Sequence, residues 1–146
     1  MTQRPAEFEN LIKTRALEAV AQTPGAIAGF LRNAAHYEAA ALALDSEKTL
    51  PVFTLAYEGY FQLVDAVLEF YLVRTKESGR NLAIQRVSTS LGVTTQEFSF
   101  IANAHARRNG TSYISPFPPV SKAEASTMLS ILTKYIPVAH ELTGAK

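Results

Sequence analysis

Residues 50–71, LPVFTLAYEGYFQLVDAVLEFY, decide how this chain is read. Apolar and aromatic side chains recur on every side of a helical wheel, from Val52, Phe53 and Leu55 to Val67, Leu68 and Phe70. A helix that is apolar nearly all round has to be covered nearly all round. Either it is the central helix of a bundle, or one side is left for a second subunit. Three acids interrupt it: Glu58 and Asp65, seven apart and therefore on one side, and Glu69 four further on.

Around this segment the chain reads as helices separated by short stops. A first helix is expected from about Pro5 to Gln22, with Phe8, Leu11, Ile12, Ala16, Ala19 and Val20 on one face. Thr23-Pro24 reads as the cap and first residue of a second helix ending near Asp45, its stripe running from Ile27, Phe30 and Leu31 to Ala41 and Leu42. The central helix is expected to end at Ser78-Gly79. A short fourth helix follows over Asn81–Leu91, with Leu82, Val87 and Leu91 inward, Arg80 and Arg86 outward, and Gly92 after it. Thr94-Thr95-Gln96-Glu97 and Ser121-Lys122-Ala123-Glu124 are capping-box patterns. They predict a fifth helix closed by Asn109-Gly110 and a last one reaching about Thr143, with Met128 and Tyr135 in its core stripe and Pro137 as a kink or early stop. Between these two lies Gly110–Val120, stiffened by three prolines. Strand signals are nearly missing. The expectation is one all-α domain over residues 1–146: an antiparallel bundle of five core helices over 24–143, with residues 1–22 as a helical extension.

Composition narrows the function classes. The chain is 47% hydrophobic and 18% charged, enough apolar material for a core. Its net charge of +1 argues against gripping nucleic acid through bulk charge. The charge is unevenly placed, however. Residues 1–73 hold five basic and nine acidic side chains, net −4, and residues 74–146 hold nine and four, net +5. There is no cysteine, hence no disulfide or thiolate chemistry. The opening residues lack the apolar run of a signal peptide and no long uncharged stretch is present, so the expectation is a cytoplasmic protein with no membrane partner.

Most catalytic signatures are missing: no Gly-rich phosphate loop, no G-x-S-x-G and no H-E-x-x-H. His36, His105 and His140 are isolated in sequence, and neither a metal site nor a cofactor is expected. The segment that stands out is His105-Ala-Arg107-Arg108-Asn109-Gly110-Thr-Ser-Tyr113. It can be read as structure alone, with arginines favoured by the dipole at a helix C-terminus, Gly110 as a cap and Tyr113 pinning a loop. Tyr113 and Phe117 can be read as loop anchors or as bases' stacking partners. Arg74, Arg80 and Arg86 can extend a basic surface.

The layout resembles the HEPN superfamily of small α-helical proteins over roughly residues 24–142. The resemblance rests on Ala56-Tyr57-Glu58-Gly59-Tyr60-Phe61 in an aromatic-rich helix, on Arg108-Asn109 at a helix end, and on Ser121-Lys122-Ala123-Glu124-Ala125 opening the last helix. It implies a homodimer whose two motifs face each other, and often a metal-independent ribonuclease of a toxin–antitoxin pair or a phage-defence system. Carried over, Arg108 would hold the scissile phosphate and stabilise developing charge, and Asn109 would orient it. Arg107 and Arg86 would add affinity for the substrate. The family's motif histidine is replaced here by Tyr113, a donor or substitute acid. His105, three residues before Arg108, shares its helix face but precedes the motif. The expected function is RNA binding or RNA cleavage, with an antitoxin protein as a further partner; the alternative is a non-catalytic dimer that binds a nucleotide or a protein.

Overall fold

The computed structural model describes residues 4–76 and 79–145, with the side chains of Ser112 and Tyr113 outside the described set. The fold is mostly α-helical. In chain order it comprises α1 (Ala6–Lys13), β1 (Leu17–Ala19), α2 (Ala26–Ala43), α3 (Thr49–Phe70), β2 (Val73–Thr75), α4 (Arg80–Leu91), α5 (Thr95–Asn109) and α6 (Lys122–Thr143).

The all-round apolar helix is α3, and it is central. It packs between α2 and α6 and also touches α4, α5 and β2. Phe53, Tyr57, Tyr60, Leu63, Val64 and Leu68 are each at most 1% exposed, so α3 is covered within the single chain. Its fit to α2 and α6 depends on Gly59, where a Cβ would stand 2.6 Å from Leu132 Cδ2 and 3.0 Å from Tyr37 Cβ. On the α4 side, Tyr60 Oη and Ser88 Oγ share a hydrogen bond of 2.6 Å, which satisfies two buried hydroxyls.

Both capping boxes form. Thr94 and Ser121 accept from the backbone of Glu97 and Glu124, whose carboxylates accept from the cap nitrogens. Met128 and Tyr135 are in the core as expected. The helix of α6 continues through Pro137 to Thr143 rather than stopping early.

Several expectations are corrected. The first helix ends at Lys13, not Gln22: Arg15 turns to φ 66° and Ala16 N–H bonds Leu11 O. The chain then runs as β1, antiparallel to β2, with Leu17 opposite Thr75 and Ala19 opposite Val73. Pairing with a distant strand overrides the helical periodicity there. The same strand shortens the central helix, which stops at Phe70 before a turn in which Leu72 has φ 62°. Gly79 fits this corner because a Cβ would lie 2.0 Å from Ala16 O. The second helix begins after Gly25 (φ 81°), not at Thr23. Thr23 instead donates its N–H to the buried Glu69 Oε1 at 2.5 Å, and its hydroxyl oxygen accepts from Arg74 Nη2 at 2.8 Å. Leu42 is 64% exposed, so it leaves the core stripe. On α4 the orientation is reversed at the start: Leu82 faces outward and Arg80 lies over α3, its Cζ 3.8 Å from the Phe61 ring centre. Gly110 does not stop the fifth helix. It has φ −58° and opens a wide π-type turn over Gly110–Ile114, closed by Ser115 N–H to Gly110 O at 2.9 Å.

Candidate functional site

The face of α3 that carries Glu58 and Asp65 looks toward α4 and the end of α5, and three elements contribute to one polar cluster. Glu58 is shared by two arginines. Arg108 Nη2, from the last turn of α5, donates to Glu58 Oε1 at 2.9 Å, and Arg80 Nη2, from the first turn of α4, donates to Oε2 at 3.1 Å. All three side chains are largely shielded, with exposures of 17% for Arg108, 31% for Arg80 and 21% for Glu58. Two guanidiniums against one carboxylate leave a local positive excess in a partly dry setting, where charge interactions are stronger than in water. Both arginines also stand over aromatic rings, Arg80 against Phe61 and Tyr57 and Arg108 against Tyr57.

His105 joins the cluster, four residues before Asn109 on the same helix face. Tyr57 Oη lies 2.6 Å from its Nδ1, and Asn109 Nδ2 lies 3.3 Å from its Nε2. Asn109 Oδ1 accepts from Arg108 Nη1 at 2.9 Å. These contacts fix the tautomer. A guanidinium only donates, so the oxygen end of Asn109 faces Arg108 and its NH2 end faces the imidazole. Nε2 is then the acceptor, and the single proton of the neutral ring sits on Nδ1 and is donated to the tyrosine oxygen. Burial, followed by the positive fields of Arg80 and Arg108, lowers the His105 pKa below its ordinary value and keeps the ring neutral. Tyr57 is pushed up to about 12, mainly by burial, and stays protonated. Further along α3, burial raises Asp65 to about 7 even though Arg80 pulls it down.

Of the expected site residues, Arg108 and Asn109 are brought together with each other and with His105. The side chain of Tyr113 lies outside the described residues. Arg107 points elsewhere: Nε and Nη2 pair with both oxygens of Glu124 at 2.7 and 3.0 Å, and Nη1 and Nη2 donate to the carbonyls of Pro118 and Pro119 at 2.9 Å. It clasps the 110–120 loop to the start of α6, at the edge of an apolar groove of about 340 Å³ that Phe53, Phe100 and Ala104 also line. Arg86 is exposed on α4 and makes no hydrogen bond or ion pair among the described residues. From the sequence, Tyr57 and Glu58 have no site role, and Arg80 has only a place on an extended basic surface. The available signal was the Glu58–Asp65 spacing, which put two acids on one side of an otherwise apolar helix.

Among the described residues no three His, Asp or Glu side chains are grouped to hold a metal ion, and no helix is long and apolar enough to cross a membrane. Comparison with protein-family models, curated proteins and solved structures finds no match to this chain.

Proposed function

We propose that the chain is a HEPN-like RNA-binding protein that cleaves phosphodiester bonds without a metal, acting as a homodimer in a toxin–antitoxin or phage-defence setting. The observation that carries this reading is the convergence of two shielded guanidiniums, Arg108 and Arg80, beside a neutral imidazole and the Asn109 amide. Arginines so placed attract a phosphate and stabilise the charge that develops as a 2′-hydroxyl attacks it. Glu58 holds them in place until the phosphate arrives. Purified protein is expected to cut single-stranded RNA with EDTA present, and Arg108→Ala to abolish cutting while leaving the circular dichroism spectrum unchanged.

A second reading, a non-catalytic dimer that binds a nucleotide, RNA or partner protein through the same arginines, is favoured by Tyr113 standing where the motif histidine would be. It predicts RNA or nucleotide binding that Arg108→Ala removes, with no turnover by the wild type. Absence of both cutting and binding would refute the two readings together.

A further inference from the structure

Resting on the RNA-cleaving reading, we propose that His105, rather than a residue after Arg108, is the catalytic proton acceptor and that Tyr57 positions it.

The geometry supplies each part. The imidazole has two faces with distinct duties. Nδ1–H is tied at 2.6 Å to Tyr57, a residue 1% exposed in the core of α3, so the ring is held from behind. Nε2 carries the lone pair on the other side of this half-buried ring, where its contact with Asn109 at 3.3 Å is the longest of the chain linking Arg108, Asn109, His105 and Tyr57. A hydroxyl can replace that amide on Nε2 more easily than it can break the Tyr57 contact. Arg108 and His105 touch opposite ends of the same carboxamide. A phosphate held by Arg108 is therefore one amide away from the base.

The reaction then balances as follows. The Nε2 lone pair takes the 2′-hydroxyl proton as the 2′-oxygen bonds to phosphorus. The bond from phosphorus to the 5′-oxygen breaks, and that oxygen leaves with the electron pair and takes a proton from water. The imidazolium returns its proton to the hydroxide so formed. The products are a 2′,3′-cyclic phosphate and a 5′-hydroxyl. The Asn109 amide and the Tyr57 phenol that touch the ring are both neutral; burial and the fields of Arg80 and Arg108 lower its basicity by more than the Glu58 carboxylate raises it. The base is accordingly active below neutral pH.

The test measures cleavage of a fluorescent single-stranded RNA in EDTA from pH 5 to 8 by wild type, His105→Ala, His105→Gln and Tyr57→Phe. Expected are a wild-type rate that rises to a plateau with its midpoint below pH 6.5 and a loss of about 100-fold or more in His105→Ala. Partial rescue of that variant by added imidazole and resistance of a substrate with a 2′-deoxy at the scissile position are also expected. Tyr57→Phe should lower the rate and shift the midpoint. His105→Gln keeps hydrogen-bonding capacity without a base, so it should fold and be as slow as His105→Ala. Wild-type cleavage matched within threefold by both His105 variants, with the same pH profile, would overturn the assignment of His105 and leave the RNA-cleaving reading standing. Failure of the wild type to cut any RNA would overturn both.

Discussion

Replacing Arg107 with alanine separates a clasp from a substrate contact. In the folded protein the Arg107 guanidinium holds the Glu124 carboxyl down at about 2, from an ordinary 4.5, with help from the Ser121 cap. Taken whole, that depression corresponds to a ceiling of about 3 kcal/mol. The partners are 24% and 30% exposed, so solvent screening cuts the figure to about 1–2 kcal/mol. Losing the bonds to the Pro118 and Pro119 carbonyls, which water can partly replace, adds about 0.5 kcal/mol. Arg107→Ala should therefore destabilise the fold by about 2 kcal/mol at pH 7. The carboxylate pKa is lowered on folding, so this stabilisation is complete above pH 4.5 and fades as pH falls through 2. At pH 3 the Glu124 contribution should be about half gone. Urea unfolding of wild type, Arg107→Ala, Glu124→Gln and the double variant at both pH values gives the coupling directly, since glutamine preserves the capping box. A coupling below about 0.3 kcal/mol at pH 7, or one of equal size at pH 3, would refute the clasp. So would an Arg107→Ala protein of unchanged stability that had lost its affinity for RNA.

Two further outcomes follow from packing and burial. Gly79→Ala brings a Cβ against Ala16 O at 2.0 Å and should lower the melting temperature by roughly 5–15 °C. Gly29→Ala, in the open on α2, should be neutral or slightly stabilising, and equal effects at the two sites would sink the close-approach argument. Asp65→Asn should stabilise the protein at pH 8 by about 2 kcal/mol, within a ceiling of about 4 kcal/mol from a carboxyl raised from 3.8 to about 7. Because this pKa rises on folding, the charge burdens the fold only as pH climbs from 3.8 through 7. The gain should vanish in urea titrations at pH 4, and a gain that persists there would have another origin.

What was legible in the sequence was whatever short-range chemistry decides. The boxes at Thr94/Glu97 and Ser121/Glu124 need only a spacing of three residues, and both formed. The central helix was legible because its wheel is apolar nearly all round. The break at Lys13 was not legible, since Ala16–Ala19 keep a helical pattern and the deciding partner, Val73–Thr75, lies more than fifty residues on. Arg80 read as a solvated surface arginine because its partners, Phe61 and Glu58, belong to another helix. The site divides in the same way. Arg108 and Asn109 sit in a local motif, and His105 is visible from them at helical spacing. Tyr57 and Glu58 enter only when α5 is laid against α3.

The pairing of β1 with β2 changes what the first residues are for. Read as an extension, residues 1–22 would be removable; as folded, they supply the one strand that pairs with β2 among the described residues. Phe8 rests on the Tyr71 ring at 5.3 Å between centroids, and Val20 N–H and Lys76 N–H complete bonds across the join to Leu72 O and Ala16 O. A shortened protein beginning near Thr23 would present unpaired amides and bare aromatic surface together, the combination through which chains recruit one another into aggregates. Any preparation of this protein for the assays above has to keep its beginning.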